Sequence, residues 1–316
     1  PEFTRTLASA SWSYRWTDKL RSQHRFDLLD INYIYVPWKS NMFKQYLENL
    51  TDRNSILIKS YEDQLIVRTG YTYTYNSAGN IKNTSRNSFT IRFNVEESGN
   101  LLNVASKLLH LKSNGENEYE IANIPFAQYV KGDFDFAQII RIDNRNSLAF
   151  HVGMGIAYPY GNSKALPFEK RYFSGGPNSV RGWSVRSLGP GNYKGSDNGM
   201  TYINHTGDIK LDLNIEYRTR LFWKFNGAAF IDAGNIWNIR EYDGQEDGTF
   251  HLKSFYKQLA VAYGIGIRLD LDYLILRFDG GMKAINPMMN GKDKYPILHP
   301  DMGRDFAFHF AVGYPF

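Results

Sequence analysis

The stretch GDIKLDLNIEYRTRL, residues 207–221, alternates apolar and polar side chains almost without a break. Ile209, Leu211, Leu213, Ile215 and Tyr217 fall on one side of an extended chain. Lys210, Asp212, Asn214, Glu216 and Arg218 fall on the other, because successive side chains of a strand point to opposite faces. One face suits lipid and the other suits water. A soluble sandwich strand also alternates, burying its apolar face and leaving its charges outside, so one strand does not separate the two architectures.

The ensemble of such segments does. Alternation recurs over residues 6–16, 29–35, 65–75, 89–95, 134–142, 148–158, 225–231, 259–271, 274–278 and 306–316, which with 207–221 makes about eleven strands. Several approach the roughly 9–11 residues a tilted strand needs to cross hydrocarbon. The connections run short and long in turn. Residues 17–25, 76–85, 143–147, 222–224 and 270–273 are brief links, whereas 37–64, 96–133, 159–206, 235–258 and 280–303 are long. Outer-membrane barrels have this asymmetry, with tight periplasmic turns and long extracellular loops, and a soluble sandwich has no reason for it. Two long links carry helix-like patches, 42–50 and 101–111, expected to fold onto the barrel rim, with a partner-binding or membrane-surface helix as the other reading.

Composition agrees. Aromatic residues make up 16% of the 316 residues, and the mean hydropathy of -0.46 leaves no apolar run of the roughly 18 residues a transmembrane helix needs. There is no cysteine, which excludes disulfide frameworks, thiolate zinc sites and cysteine nucleophiles. The net charge of +5 is spread through alternating segments instead of a dense basic patch, which argues against nucleic acid as a partner. The chain opens on Pro1, in strand register within a few residues. Closed single-chain bacterial barrels have an even strand number, so eleven strands raise the expectation that the chain starts inside a barrel and that its first strands lie elsewhere.

Four further stretches carry a resemblance. FSGGPNSVRGW, from Phe173 through Gly175, Gly176, Ser179, Val180, Arg181 and Gly182 to Trp183, resembles the signature loop of the BamA/TamA outer-membrane assembly superfamily, also known as the outer-membrane surface antigen family. FIDAGNIW, from Phe230 through Asp232 and Gly234, resembles the next motif of that family. YGIGIRLDLDYLILRFD resembles its penultimate hairpin, and FAFHFAVGYPF its terminal strand, ending in Phe316. The resemblance implies an all-β, antiparallel, sixteen-stranded transmembrane β-barrel whose loop, here 159–207, folds into the lumen. Residues 1–316 would then be an outer-membrane barrel domain lacking its first strands and the periplasmic domains that precede the barrel in the family.

The same resemblance makes Arg181 the loop arginine and gives it Asp232 and Glu216 as acidic partners on the inner wall. Period two independently places Glu216 on the lumen face and Asp232 on the face shared by Asn226 and Ala228. A guanidinium reaching two carboxylates forms charge-assisted bonds that lysine cannot reproduce. A registry or gating role is expected of such a latch, because a buried ion pair returns little net stability. In the terminal strand, Phe306, Phe308, Phe310, Tyr314 and Phe316 alternate with small or polar residues, as a lipid-facing strand with an aromatic girdle would, and also as an assembly signal would. Gly264 and Gly266 are expected to leave room for the inserted loop.

Enzyme motifs are absent, and the seven histidines lie singly, without metal-ligand spacing. No catalytic residue, metal or cofactor is expected. By resemblance, the function is an insertase or translocase of a Gram-negative outer membrane. It would assemble client β-barrel proteins through a lateral seam, with the lipid bilayer, the clients and accessory lipoproteins or other periplasmic assembly factors as partners. A two-partner-secretion-type translocation pore, a passive porin and a surface receptor or structural barrel stand as alternatives.

Overall fold

The computed structural model describes residues 3–50, 59–78, 87–111, 113–115, 117–195, 204–271 and 273–316, with the backbone alone for 46 and 48–50. Parts of the long links 37–64 and 159–206, and of the short links 76–85 and 270–273, lie outside the described residues. Eleven strands form one antiparallel sheet. They are β1 (Phe3–Asp18), β2 (Ser22–Lys39), β3 (Gln64–Asn76), β4 (Asn87–Ser98), β7 (Tyr129–Arg141), β8 (Asn146–Pro159), β9 (Ile209–Arg220), β10 (Phe225–Trp237), β11 (Ala260–Asp270), β12 (Ile275–Ile285) and β13 (Phe306–Val312). Each pairs with its neighbours in chain order, as sequential hairpins require. A separate small hairpin, β5 (Glu120–Ile121) and β6 (Ile124–Pro125), sits in the long β4–β7 connection. Among the described residues, β1 pairs only with β2 and β13 only with β12.

The distribution of side chains is inside out. Arg181, Arg268, Arg277, Glu216, Asp232 and Asp279 are almost fully buried, while Ile231, Phe308 and Phe310 lie open on the other face. Within β11 alone, Arg268 and Ala262 are 0% exposed and Ile265 is 73% exposed. A soluble protein almost never buries Arg, Asp and Glu while leaving a sheet face of large apolar residues bare. A transmembrane barrel does so by construction, with a polar interior and an apolar band toward lipid. No helix is long and apolar enough to cross a membrane.

The strands hold the long connections at one rim and the short ones at the other. Ile34, Ile66, Ala127, Tyr129, Ala157, Leu166, Tyr172 and Ile236 make an apolar cluster that seats the base of the 159–207 segment against the wall. Helix α1 (Asn41–Leu50) packs onto the sheet as expected, with Phe43 and Leu47 against Tyr61, Phe3 and Phe168. Helix α2 (Asn100–Leu108) does not. It buries Ser106 and turns Leu101, Val104 and Leu108 outward. Its inner side is held by polar bonds instead, from Asn103 Nδ2 to Gln128 Oε1 at 2.6 Å and from Gln128 Nε2 to Asn100 Oδ1 at 2.9 Å. Rim packing driven by its apolar stripe, the expected arrangement, is therefore corrected for this helix.

The terminal strand needs a second correction. It ends at Val312, because Gly313 adopts φ +85°, a left-handed conformation that turns the chain. Phe306, Phe308, Phe310 and Val312 face outward, but Tyr314 and Phe316 enter the lumen. The Arg218 guanidinium lies 4.4 Å from the Tyr314 ring centre and 5.4 Å from that of Phe316, and Phe316 stacks on His151 at 5.1 Å. Strict alternation continued to the last residue in the sequence, yet the rings find a cation and an imidazole inside.

The outward face yields a direct check. Ile265→Arg, at the middle of β11, is expected to destabilise the barrel by roughly 2–4 kcal/mol, the cost of a cation at the bilayer midplane. Ile265→Leu should change stability by less than about 1.5 kcal/mol. Reversible unfolding in lipid vesicles measures both, and a near-neutral arginine would mean that this face does not meet hydrocarbon.

Candidate functional site

Segment 173–191 crosses the lumen and sets one guanidinium against the inner wall. Gly175 lets it turn there. At φ +89° a side chain would be strained, and a Cβ would run into the carbonyl oxygen of Ser184. The turn closes with Gly176 N donating to Trp183 O at 2.7 Å. Phe173, at the mouth of the loop, is partly exposed and carries the Arg186 guanidinium 4.8 Å above its ring. Ser179 Oγ donates to Asp212 Oδ1 on β9 at 2.8 Å, and Asn214 Nδ2 donates to Ser179 O at 2.8 Å. Val180 and Trp183 pack with Leu188 on Ala260, Ala262 and Met288. Gly182 lies flat on Ala262, and Gly234 on β10 admits Val180 in the same way.

Arg181 is fully buried. Its Nε and Nη2 donate to the two oxygens of Asp232 at 2.8 and 2.9 Å, a forked pair, and its backbone N–H adds a third bond to Oδ2 at 3.0 Å. Nη1 donates to Glu216 Oε2 at 2.5 Å. The guanidinium also lies 3.5 Å from the ring centre of Phe230, the first residue of the FIDAG segment. Thus Arg181, Asp232, Glu216 and Phe230, separated by up to 51 positions in sequence, meet in the lumen. Burial alone would lower the Arg181 pKa, but the bonds and charge of Asp232, joined by Glu216, outweigh it and hold the guanidinium above its ordinary value.

The charge network extends beyond the residues singled out by sequence. Glu216 also accepts from Arg268 Nη2 at 3.0 Å and from Arg218 Nε at 2.8 Å. Asp279 accepts from Arg268 Nη1 at 2.6 Å, and its other oxygen lies 3.3 Å from Arg277 Nε and 3.7 Å from Arg181 Nη1. Arg277 Nη2 donates to Asn178 of the loop at 2.5 Å. Four arginines, 181, 218, 268 and 277, thus share three carboxylates, 216, 232 and 279, leaving one positive charge in excess.

The lumen-face periodicity of 264–279 could have exposed Arg268, Arg277 and Asp279, since all three fall on the polar parity of their strands. Arg171, at the base of the loop, had no such signal. It is buried, with Nη2 donating to Asn238 Oδ1 at 2.7 Å and Nη1 lying 3.4 Å from Asp208 Oδ1. By its alternation alone, His309 is one of the small or polar residues between the aromatic rings of the terminal strand. Its Nε2 donates to the carbonyl of Arg181 at 3.0 Å, tying β13 to the latch.

The glycines act differently from expectation. Gly264 makes way for the Phe230 ring, whose Cζ would stand 2.5 Å from a Cβ there. Gly266 makes way for the Arg268–Asp279 pair. The loop itself rests on Gly281, where a Cβ would collide with the Arg181 carbonyl. Thus the two expected glycines accommodate the latch's partners, and a third accommodates the loop. Phe306, Phe308 and Phe310 are not near the latch. Among the described residues, no group of His, Asp and Glu has the geometry to hold a metal ion.

Comparisons with known proteins bear on this geometry. Residues 2–316 match the family model described as the Omp85 superfamily domain. A 99-residue segment, 28% of the chain and 12% of the relative, is 33% identical to the outer membrane protein assembly factor BamA of Neisseria meningitidis serogroup B. A 164-residue segment, 46% of the chain and 32% of the relative, is 30% identical to the sorting and assembly machinery component 50 homolog of Homo sapiens. The chain therefore spans at most about a third of the curated relatives it matches. Among solved structures, BamA from Haemophilus ducreyi lacking POTRA domains 1–3 superposes with a TM-score of 0.59 at 13% identity, covering 98% of this chain and 55% of that one. CdiB from Escherichia coli superposes with a TM-score of 0.54 at 10% identity, over 98% and 45%. Both show a shared fold.

Removing the guanidinium tests what holds the loop. Arg181→Ala leaves Asp232 and Glu216 without their common partner, a loss on the order of 3–5 kcal/mol for a broken buried pair. Segment 173–191 should then become open to trypsin at Arg186 while the strands stay folded. Arg181→Lys should fall between, since it keeps the charge and loses the fork. Equal resistance of all three proteins would show that the loop is held by its apolar contacts alone.

Proposed function

The chain belongs to the Omp85 superfamily, and from that premise we propose that it is an insertase or translocase of a Gram-negative outer membrane that assembles client β-barrel proteins at an edge of its own sheet. The observation that carries this reading is the position of β13. Among the described residues it pairs with β12 alone, and it reaches the latch through His309, whose Nε2 donates to the Arg181 carbonyl. An unpaired strand in lipid is a costly arrangement, because its N–H and C=O groups find no water there. A client strand that pairs with it satisfies both partners' main chains, which is the energetics of β-augmentation. No nucleotide is needed for that step.

The names of two relatives, an outer membrane protein assembly factor and a sorting and assembly machinery component, support assembly over export. The loop and its salt-bridge network cover the lumen face of β9 to β12, which a passive pore would leave to water. The lumen latch of Arg181, Asp232 and Glu216 then sets the resting position of the loop against β13. Accessory lipoproteins or periplasmic factors would act on the surfaces of the short-turn rim. The long loops would face outward from the cell. Members of the family work without catalytic residues, and no step here requires one.

Because the chain has no cysteine, engineered ones report cleanly. Single cysteines at Ala307, His309 and Ala311, taken one at a time in the full-length protein, should crosslink to cysteines in the terminal strand of a client during assembly. The client partner should move by two residues from each of these sites to the next, as a paired ladder requires. Arg181→Ala should slow client insertion about tenfold or more, tenfold being about 1.4 kcal/mol of lost coupling. If Arg181→Ala raises ion conductance while clients insert at the normal rate, the chain is a pore and the insertase reading fails.

A further inference from the structure

The outer wall of the sheet carries a cleft that neither the latch nor β13 uses. Two outward-facing rows of residues cross the strands near the long-loop rim. The deeper one joins Phe93, Phe134, Met154 and Leu211 across β4, β7, β8 and β9. The next runs through Val95, Gly132, Ile156, Ile209 and Trp237, reaching β10. At Gly132 this row has no side chain, and an added Cβ would meet only Asn94 O, at 4.0 Å.

Beyond the gap stands a wall. Trp237 is fully buried, with Phe250 and Phe255 of the β10–β11 connection set edge-on against it at 5.6 and 6.1 Å. Its Nε1 donates to Gln258 Oε1 at 2.8 Å, which fixes the indole plane. The cleft holds roughly 470 Å³, lies open along the outer face of the sheet and is almost wholly apolar, with a volume in the range of small-molecule sites.

One row closer to the rim lies Tyr158, paired with Val130. The Arg240 guanidinium sits 5.1 Å from its ring centre. Arg240 donates to the carbonyl oxygens of Pro159 at 2.7 Å and Lys164 at 3.5 Å, and to no carboxylate among the described residues. A cation held by two neutral carbonyls has no counter-charge among the described residues. From the Met154 row to the Tyr158 row is four residues, or about 13 Å at roughly 3.3 Å per residue. That is close to one leaflet of a hydrocarbon core roughly 30 Å thick.

We propose that this cleft is a binding site for one phosphate-bearing lipid of the leaflet on the long-loop side, its acyl chain lying over Gly132 against Trp237 and its phosphate on Arg240. The apolar lining, its extent along the strands and the cation above it without a carboxylate among the described residues all match that one molecule. A client strand or a second copy of the chain would need a flat, continuous face, and the Trp237–Phe250–Phe255 wall interrupts it. The aromatic side chains at this height belong to the interfacial belt where headgroups sit.

The test uses the protein purified in detergent, stripped of lipid and offered phosphatidylglycerol and phosphatidylcholine of identical chains, with retained lipid counted by native mass spectrometry. The unaltered protein should retain one phosphatidylglycerol in preference to phosphatidylcholine. Gly132→Leu should fill the cleft and lower retention of both lipids by roughly tenfold or more, since each buried methylene is worth a factor of about four. Arg240→Gln should abolish the preference and leave phosphatidylcholine retention unchanged. Met154→Trp narrows the cleft from the opposite wall, and serves if Gly132→Leu fails to fold. Folding is checked by heat-modifiable migration. Equal retention by the folded cleft-filling variant and the unaltered protein, or a preference that survives in Arg240→Gln, would overturn the site.

Discussion

A guanidinium that keeps its charge at any accessible pH, carried to the middle of the lumen, constrains everything around it. Arg181 requires carboxylates within bonding reach, and β9 and β10 supply Glu216 and Asp232 at the one register where both face it. Those carboxylates then attract further arginines from the neighbouring strands, and Asp279 on β12 balances part of the addition. Space for the Arg268–Asp279 pair comes from Gly266, space for the Phe230 ring under Arg181 from Gly264, and space for the loop backbone from Gly281. A strand slipped by one residue would put each of these groups on the lipid side. The network therefore specifies register more than it adds stability, because desolvating four arginines offsets much of what their pairing returns.

The sheet meets two solvents, and each face answers to its own. Inside, no polar side chain of the latch is left to water, and the loop replaces the water it displaces with the Ser179 hydroxyl and carbonyl and the Arg181 backbone N–H, bonded to Asp212, Asn214 and Asp232 of the wall. Outside, aliphatic and aromatic side chains stand exposed because lipid covers them. A surface read as exposed in an isolated chain is thus the apolar band of a barrel. Helix α2 follows the same logic, turning Leu101, Val104 and Leu108 outward and keeping its asparagines toward Gln128.

Period two made the strands legible, since all eleven expected segments are strands in the structure. Their ends were less so. The alternation in 274–278 breaks down at Gly280 and Gly281, and the strand nonetheless runs to Ile285 because those glycines are where the sheet accepts Phe306 and the loop. The latch pair was legible because the family resemblance and the lumen parity pointed to the same residues. Arg171 was not, because its partners Asp208 and Asn238 come from opposite ends of other elements and share no spacing with it. Apolar spacing alone placed both rim helices correctly but oriented only α1, since the sequence around α2 does not reveal that Gln128 holds its polar side.

The terminal strand shows why a pattern can be correct and still mislead. Phe306 to Phe316 alternates strictly, so periodicity assigns every aromatic ring to lipid. Gly313 ends the ladder, and the last two rings gain a cation in exchange for hydrocarbon. The consequence is mechanical. β13 and the turn after it are attached to the lumen at two heights, by His309 on the Arg181 carbonyl and by Tyr314 on Arg218, and Arg218 in turn bonds the same Glu216 that Arg181 bonds. Both attachments end in one carboxylate network. Within the proposed insertase, moving β13 away from the lumen would disturb the loop and displacing the loop would loosen β13, because two sites joined through one set of bonds bias each other by the same free energy.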